Sequence, residues 1–431
     1  MIIIQNESLL EFIKSRYSLA DIQTLITFLQ QQGTFDFIAL SNGLFPAALL
    51  TDETAYTGYA NVWVRDNIHV AYGHYVMGET AVAVKTARTL LTYFGKHSHR
   101  FEAIIQEQVD PQNPMNRPHI RFNGQTLEEN KERWPHAQND ALGYFLWLYC
   151  LLVGDELIEP TNEDVETLAL FPFYFQAIRY WKDEDSGHWE ETRKVEASSI
   201  GAVVAGLKAL RQIYLQPAFA ARCYQQLMTP PLLDELISKG QESLNEILPA
   251  ECIQPEHARV EDGALLFLIY PLGVVEGEVA DQILNNVLTH LAHEVGICRY
   301  LGDSFWCADY KQKLSGEKRT ADFSNDISLR DQLLKPGEEA QWCIFDPIVS
   351  LIFGLKYQTT GEEVYLERQI HHVNRALGHI TDIDSEFGGF KCPELYHLDR
   401  GRYTPSDATP LLWTQAMLRI ALEIMTKTLS T

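Results

Sequence analysis

Eleven stretches of this chain place apolar residues three and four positions apart. Among them are ADIQTLITFLQQQ (20–32), NDALGYFLWLYCLLVG (139–154), SSIGAVVAGLKALRQIYL (198–215) and ATPLLWTQAMLRIALEIM (408–425). That spacing is the signature of helices with a buried face. Several of these stretches are broadly apolar around the helix, which predicts burial on more than one side. Alternating strand patterns are scarce, and FDFIAL (35–40) and GGFKCPEL (388–395) are the best short candidates. No Pro/Gly/Ser-rich linker divides the 431 residues, and no short repeat of the solenoid kind is present. The expectation is a single all-α domain over 1–431, with residues 1–40 as a helical lead-in. Helical hairpins set in a ring are the natural way to pack about a dozen such helices.

Charge narrows the ligand class. A formal net charge of −23 repels nucleic acid and anionic membranes, and it is compatible with a neutral ligand such as a sugar. The N-terminus, MIIIQNESLLEF, lacks a basic region followed by an apolar core, and no apolar run approaches the ~18 residues of a membrane helix. Seven cysteines (150, 223, 252, 298, 307, 343 and 392) are scattered, with no CxxC pair. That suits free, mostly buried thiols in a reducing compartment, and the cytoplasm is the expected location.

The unusual residues sit between the helices. NVWVRDN offers Trp63, Arg65 and Asp66; RWPHAQND offers Trp134, His136, Gln138 and Asp140; GHWEE offers Trp189, Glu190 and Glu191. ICRYLGDSFW adds Arg299, GEEAQW adds Trp342, and KCPELYHL adds Glu394. The first three stand at the entry to a helix, and each segment pairs a flat aromatic with a charged or amide group. Aromatic rings stack on the apolar face of a pyranose while carboxylates and guanidiniums bond its hydroxyls. Taken singly, each has a plainer reading: an acid before a helix caps it, an Arg–Asp pair is structural, and a tryptophan fills the core. Neither His97/His99 nor His371/His372 has metal-ligand spacing, so no metal is expected. GxGxxG, P-loop and GxSxG motifs are absent, and no cofactor is expected.

In their order these segments resemble the glucoamylase family, glycoside hydrolase family 15, and especially the branch shared with the N-terminal domain of phosphorylase kinase α and β subunits. The likeness runs from GLFPA near residue 43 to LLWTQAMLRIAL near residue 421. WVRDN resembles the family segment that grips the terminal sugar, matching at Arg65 and Asp66. WPHAQNDALG resembles the next substrate loop, matching at Trp134 and Asp140. WEE is glucoamylase-like, whereas the following ASSIG is similar to the kinase-subunit version. EDGALLFLIYP matches a segment built around Asp262, and CRYLGDSFW resembles the loop that supplies an arginine, here Arg299. CPELYH followed by TPSDATPLLWTQA resembles the loop carrying the catalytic base, which falls on Glu394. Leu395 departs from the glutamine that glucoamylases commonly place after that glutamate, and the polar loop 311–334, expected on the surface between helices, has no counterpart.

The resemblance implies an (α/α)6 barrel with its site in the cup at one end. It also implies inverting hydrolysis of an α-glucosidic bond at a non-reducing end. No separate β-sandwich, starch-binding module or kinase regulatory extension is expected, which favours soluble malto- or isomalto-oligosaccharides. Inverting hydrolysis needs one protonated and one ionised carboxyl, about 6.5–9.5 Å apart to admit a water. Family position assigns Glu190 as general acid and Glu394 as general base; spacing alone does not separate Glu190 from Glu191. In this reading Trp189 shields Glu190, while Glu191 binds hydroxyls and repels a second charge. Arg65, Asp66 and Arg299 hold the glucose, and Trp63, Trp134 and Trp342 complete the sugar site. The alternative is a catalytically weak or inactive glucan-binding regulatory barrel. Trehalose cleavage or phosphorolysis on the same barrel is a third reading.

Overall fold

The computed structural model describes residues 2–49 and 54–430. Twelve helices carry the architecture. They are α1 (Leu19–Gln31), α2 (Val64–Val76), α3 (Thr80–Lys96), α4 (Asn139–Gly154), α5 (Asn162–Ile178), α6 (Ala197–Ile213), α7 (Pro230–Ile247), the short α8 (Leu266–Ile269), α9 (Gly277–Asn286), α10 (Phe345–Thr360), α11 (Glu363–Gly378) and α12 (Leu412–Thr428). The even-numbered helices touch in the cycle α2–α4–α6–α8–α10–α12 and back to α2, which closes an inner ring. The odd-numbered helices pack outside them: α3 on α2, α7 on α6, α9 on α8, α11 on α10 and α1 on α12. This is the expected (α/α)6 toroid.

The sequence explains which helices go inside. Nearly every residue of α4 is buried, and α6 and α12 are similarly enclosed, because their apolar residues run around the whole circumference. The outer helix α7 buries one face only, and α11 is exposed along its first half while its last turns are enclosed. Two glycines let α4 and α6 approach unusually closely. A Cβ on Gly143 would lie 2.4 Å from the Ala202 carbonyl carbon, and one on Gly206 would lie 2.7 Å from the Gly143 oxygen. Capping boxes at Ser18/Asp21 and Thr161/Asp164 start the outer helices α1 and α5. All seven cysteines are buried free thiols, as expected. Among the described residues, no helix is long and apolar enough to cross a membrane.

The strands fall elsewhere than expected. Residues 35–40 form no strand; Leu40 closes a turn by donating to the Leu44 carbonyl, 2.7 Å away, and Phe35 packs with α1, α11 and α12 residues. Of 388–395 only Leu395 is in a strand. Two small antiparallel sheets form instead, β1 (Val62–Trp63), β2 (Arg121–Asn123) and β3 (Glu128–Glu129), then β4 (Gln341–Trp342), β5 (Leu395–Asp399) and β6 (Arg402–Pro405). Their registers set Trp63 opposite Arg121 and Trp342 opposite Leu395. Each sheet thus fixes an aromatic at the N-terminal end of an inner helix. Leu395 itself is fully buried in the core.

Candidate active site

The segments leading into α2, α4, α6, α10 and α12 converge on one cavity, enclosing with its mouth about 810 Å³. Its wall includes Trp63, Arg65, Asp66, Trp134, Trp189, Glu190, Arg299, Trp342 and Glu394. Nine of the eleven sequence-derived site residues are therefore neighbours in space, although they span residues 63 to 394.

Glu190 is held by indole and amide donors. Trp63 Nε1 donates to its Oε1 at 2.9 Å and Gln138 Nε2 donates to the same oxygen at 3.1 Å. Arg65 lies 3.7 Å away, and its guanidinium is anchored by Asp140 at 2.7 Å and by the Gln138 amide oxygen at 3.1 Å. Burial raises the Glu190 pKa against the pull of Arg65 and of the Gln138 bond. With Oε1 accepting two N–H bonds, Oε2 is the oxygen left to carry a proton.

Glu394 is held by hydroxyls. Tyr59 donates to Oε1 at 2.9 Å and Ser406 to Oε2 at 3.2 Å. Burial pushes its pKa up to about 7, although both hydroxyls favour the anion. Asp66 beside it is pushed up to about 7 as well, by burial first and against Arg65.

Aromatic rings build the remaining walls. Arg299 lies about 5 Å from three rings, at 5.1 Å from Trp189, 4.9 Å from Trp342 and 5.0 Å from Phe305. Asp303 fixes it through Nε at 2.6 Å and NH2 at 2.7 Å. On the other side Arg121 sits 4.0 Å over Trp134 and 5.0 Å over Trp63. Trp189 donates from its indole to Asp262 at 2.8 Å, which seats the Asp262 segment preceding α8 against this wall.

Two expected contacts are not made. Asp140 does not line the cavity; it is fully buried behind Arg65 and 3.6 Å from His188. Glu191 also turns away from the cavity. It meets Arg330 at 2.9 Å, Arg259 at 3.2 Å and Arg299 at 3.3 Å, and it accepts a hydrogen bond from Tyr300. Burial opposes its ionisation, yet these guanidiniums hold its carboxyl well below the usual range. The reason is backbone geometry. Glu190 adopts φ of +58°, closing a turn from Gly187, so the two adjacent side chains diverge. Such a non-glycine conformation costs roughly 1–3 kcal/mol and persists where surrounding contacts fix it. Here the indole, the amide and the arginine cluster fix it. Shielding of Glu190 comes from burial, with Arg65 and Arg121 opposing it.

Sequence reasoning missed Tyr59, Ser406, Trp413, Phe305, His188 and Arg330. Trp413, read as part of the last helix, lines the cavity and stacks on His69 with centroids 4.5 Å apart. The polar segment 311–334, expected on the surface, forms short helices at Tyr310–Lys313, Gly316–Arg319 and Ser328–Asp331. Its residues Thr320 to Phe323 and Arg330 face the cavity. Among the described residues, no cluster of three or more His, Cys, Asp or Glu is arranged to hold a metal ion.

Comparison with known proteins agrees with this architecture. The family model described as Glycosyl hydrolases family 15 matches residues 36–299. A probable phosphorylase b kinase regulatory subunit alpha of Caenorhabditis elegans is 24% identical over 411 residues, covering 86% of this chain. The chain spans 31% of that relative's length. A glycosidase variant solved in complex with glucose superposes with a TM-score of 0.63 at 17% identity, covering 94% of this chain and 97% of that one. A bacterial glucoamylase complexed with acarbose gives a TM-score of 0.57 at 16% identity, over 90% of this chain and 53% of the other. With more than half of its length matched by the family model and its helices closed in the same toroid, the chain belongs to glycosyl hydrolases family 15.

Proposed function

We propose that the protein is an inverting, exo-acting α-glucoside hydrolase that releases β-glucose from the non-reducing ends of soluble malto- or isomalto-type oligosaccharides. The observation that carries this reading is that Glu190 and Glu394 line one aromatic-walled cavity, both with raised pKa values. Glu190 donates the proton on Oε2 to the departing glycosidic oxygen. Trp63 and Gln138 hold Oε1 and so aim the carboxyl. Glu394, ionised, deprotonates a water on the opposite face of the sugar, and Tyr59 and Ser406 fix its orientation. Arg65, Asp66 and Arg299 bind hydroxyls of the terminal glucose, with Trp134, Trp189 and Trp342 as apolar walls. Asp140 and Glu191 act one step back, by fixing Arg65 and Arg299.

Kinetics of Glu190→Gln and Glu394→Gln test the assignment. Each is expected to lose hydrolysis while keeping the wild-type melting temperature; normal turnover in both would overturn it.

The likeness to a kinase regulatory subunit over 86% of the chain favours a second reading, a glucan-binding barrel with little or no catalysis. Tight oligosaccharide binding by calorimetry, without glucose release over long incubation, would select it.

A further inference from the structure

The segment 311–334 has no role in the chemistry above, yet it reaches across the cup and is fastened to three separate rim loops. At one rim Asp407 pairs with Lys311 at 2.7 Å and with Arg319 at 3.1 Å, while Tyr56 donates to Asp407 and receives Arg319 at 3.0 Å. At a second rim Arg133, next to Trp134, donates to Asn325. At the third, Ser304 donates to Asp331 at 2.6 Å, and Arg330 pairs with Glu191 at 2.9 Å. Between these fastenings, Thr320, Ala321, Asp322 and Phe323 face the same cavity as Glu190 and Glu394.

A site that trims a polymer from its end must leave the side of the departing chain open to solvent. A segment tied across the mouth narrows that opening. Resting on the hydrolytic reading of the site, we infer that residues 311–334 form a size-selecting cap that restricts the substrate to di- and trisaccharide glucosides and excludes glucan polymers. Its first fastening also meets the base loop, since Asp407 directly follows Ser406, which donates to Glu394 at 3.2 Å. Closing the cap and seating Glu394 therefore share one anchor.

The test compares kcat/KM on the disaccharide and heptasaccharide of the maltose and isomaltose series, measured as glucose released. Two variants are run beside the wild type. The first, Lys311→Ala with Arg319→Ala, unfastens the cap at Asp407. The second, Asp322→Gly with Phe323→Gly, removes cap side chains that face the cavity. For the wild type the heptasaccharide should fall below about one tenth of the disaccharide, and that ratio should rise at least about tenfold in each folded variant. A wild-type ratio near one, or a ratio unchanged in variants that keep their melting temperature, overturns the cap. If no glucose is released from any substrate, the hydrolytic reading fails, and calorimetry with the same sugars decides the cap separately. The same roughly tenfold preference and its relaxation in the variants then support size selection, and equal affinities overturn it.

Discussion

The two sides of the turn at Trp189 differ more than their sequence does. On the cavity side, Glu190 has one guanidinium within ion-pair distance, Arg65 at 3.7 Å, with Arg121 acting from farther off, and burial raises its pKa. On the far side, Glu191 has three guanidiniums within 3.3 Å, and its pKa is depressed. A similar matched site lies between α10 and α11, where Asp346 meets His372 and Arg375 at 2.7 Å each and its pKa also falls well below the usual range. Buried carboxylates with enough cations around them keep their charge and hold elements together. The carboxyls that face the cavity are under-compensated, so burial raises their pKa values, for Glu394 and Asp66 to about 7.

Substitutions at the turn test this division most strongly. Glu190→Gln should lower kcat by about 10²–10⁴, the range of general acid–base catalysis, with little change in melting temperature. Glu191→Ala should do the reverse first, because removing one partner of a buried ion cluster costs about 3–5 kcal/mol. Denaturant unfolding measures that loss. The depressed Glu191 pKa stabilises the fold above the unfolded carboxyl value of about 4.3, and this contribution disappears as pH falls through the folded value. Glu191→Gln should therefore flatten the acid side of the stability curve.

A smaller effect is expected at Tyr59. Its hydroxyl lowers the Glu394 pKa, which burial has pushed up to about 7, so the ascending limb of kcat/KM against pH should lie near 7. Tyr59→Phe should move that limb to higher pH and reduce kcat/KM about 10- to 100-fold, as for loss of a hydrogen bond to a charged group. The raised pKa also predicts a stability trend. The Glu394 contribution is full below the unfolded value and is lost as pH rises through about 7, a slope that Glu394→Gln should remove. The smallest change belongs to the wall. Trp134→Leu should raise KM about three- to tenfold with kcat nearly constant, since a stacking contact contributes about 0.5–1.5 kcal/mol.

The helices of the ring were legible from apolar periodicity, and stretches broadly apolar around the helix, such as 139–154, are buried on more than one side. The position of each loop was legible through family resemblance, which selected nine residues that do share one cavity. What stayed hidden depends on backbone geometry and distant partners. Nothing in WEE announces the left-handed turn at Glu190 that separates the two glutamates. Tyr59 reaches Glu394 across 335 residues and carries no local signal. Asp140 matched a substrate loop, but Arg65 occupies its carboxylate and keeps it behind the wall. The polar composition of 311–334 suggested solvent, whereas its charges are used to fasten it across the cup.

Proton NMR of the purified protein with maltotriose, isomaltotriose and trehalose tests the central claim most directly, because it reports turnover and the anomer released together. The account predicts β-glucose as the first product, from a malto- or isomalto-substrate. α-Glucose appearing first, or no release from folded protein, would contradict it.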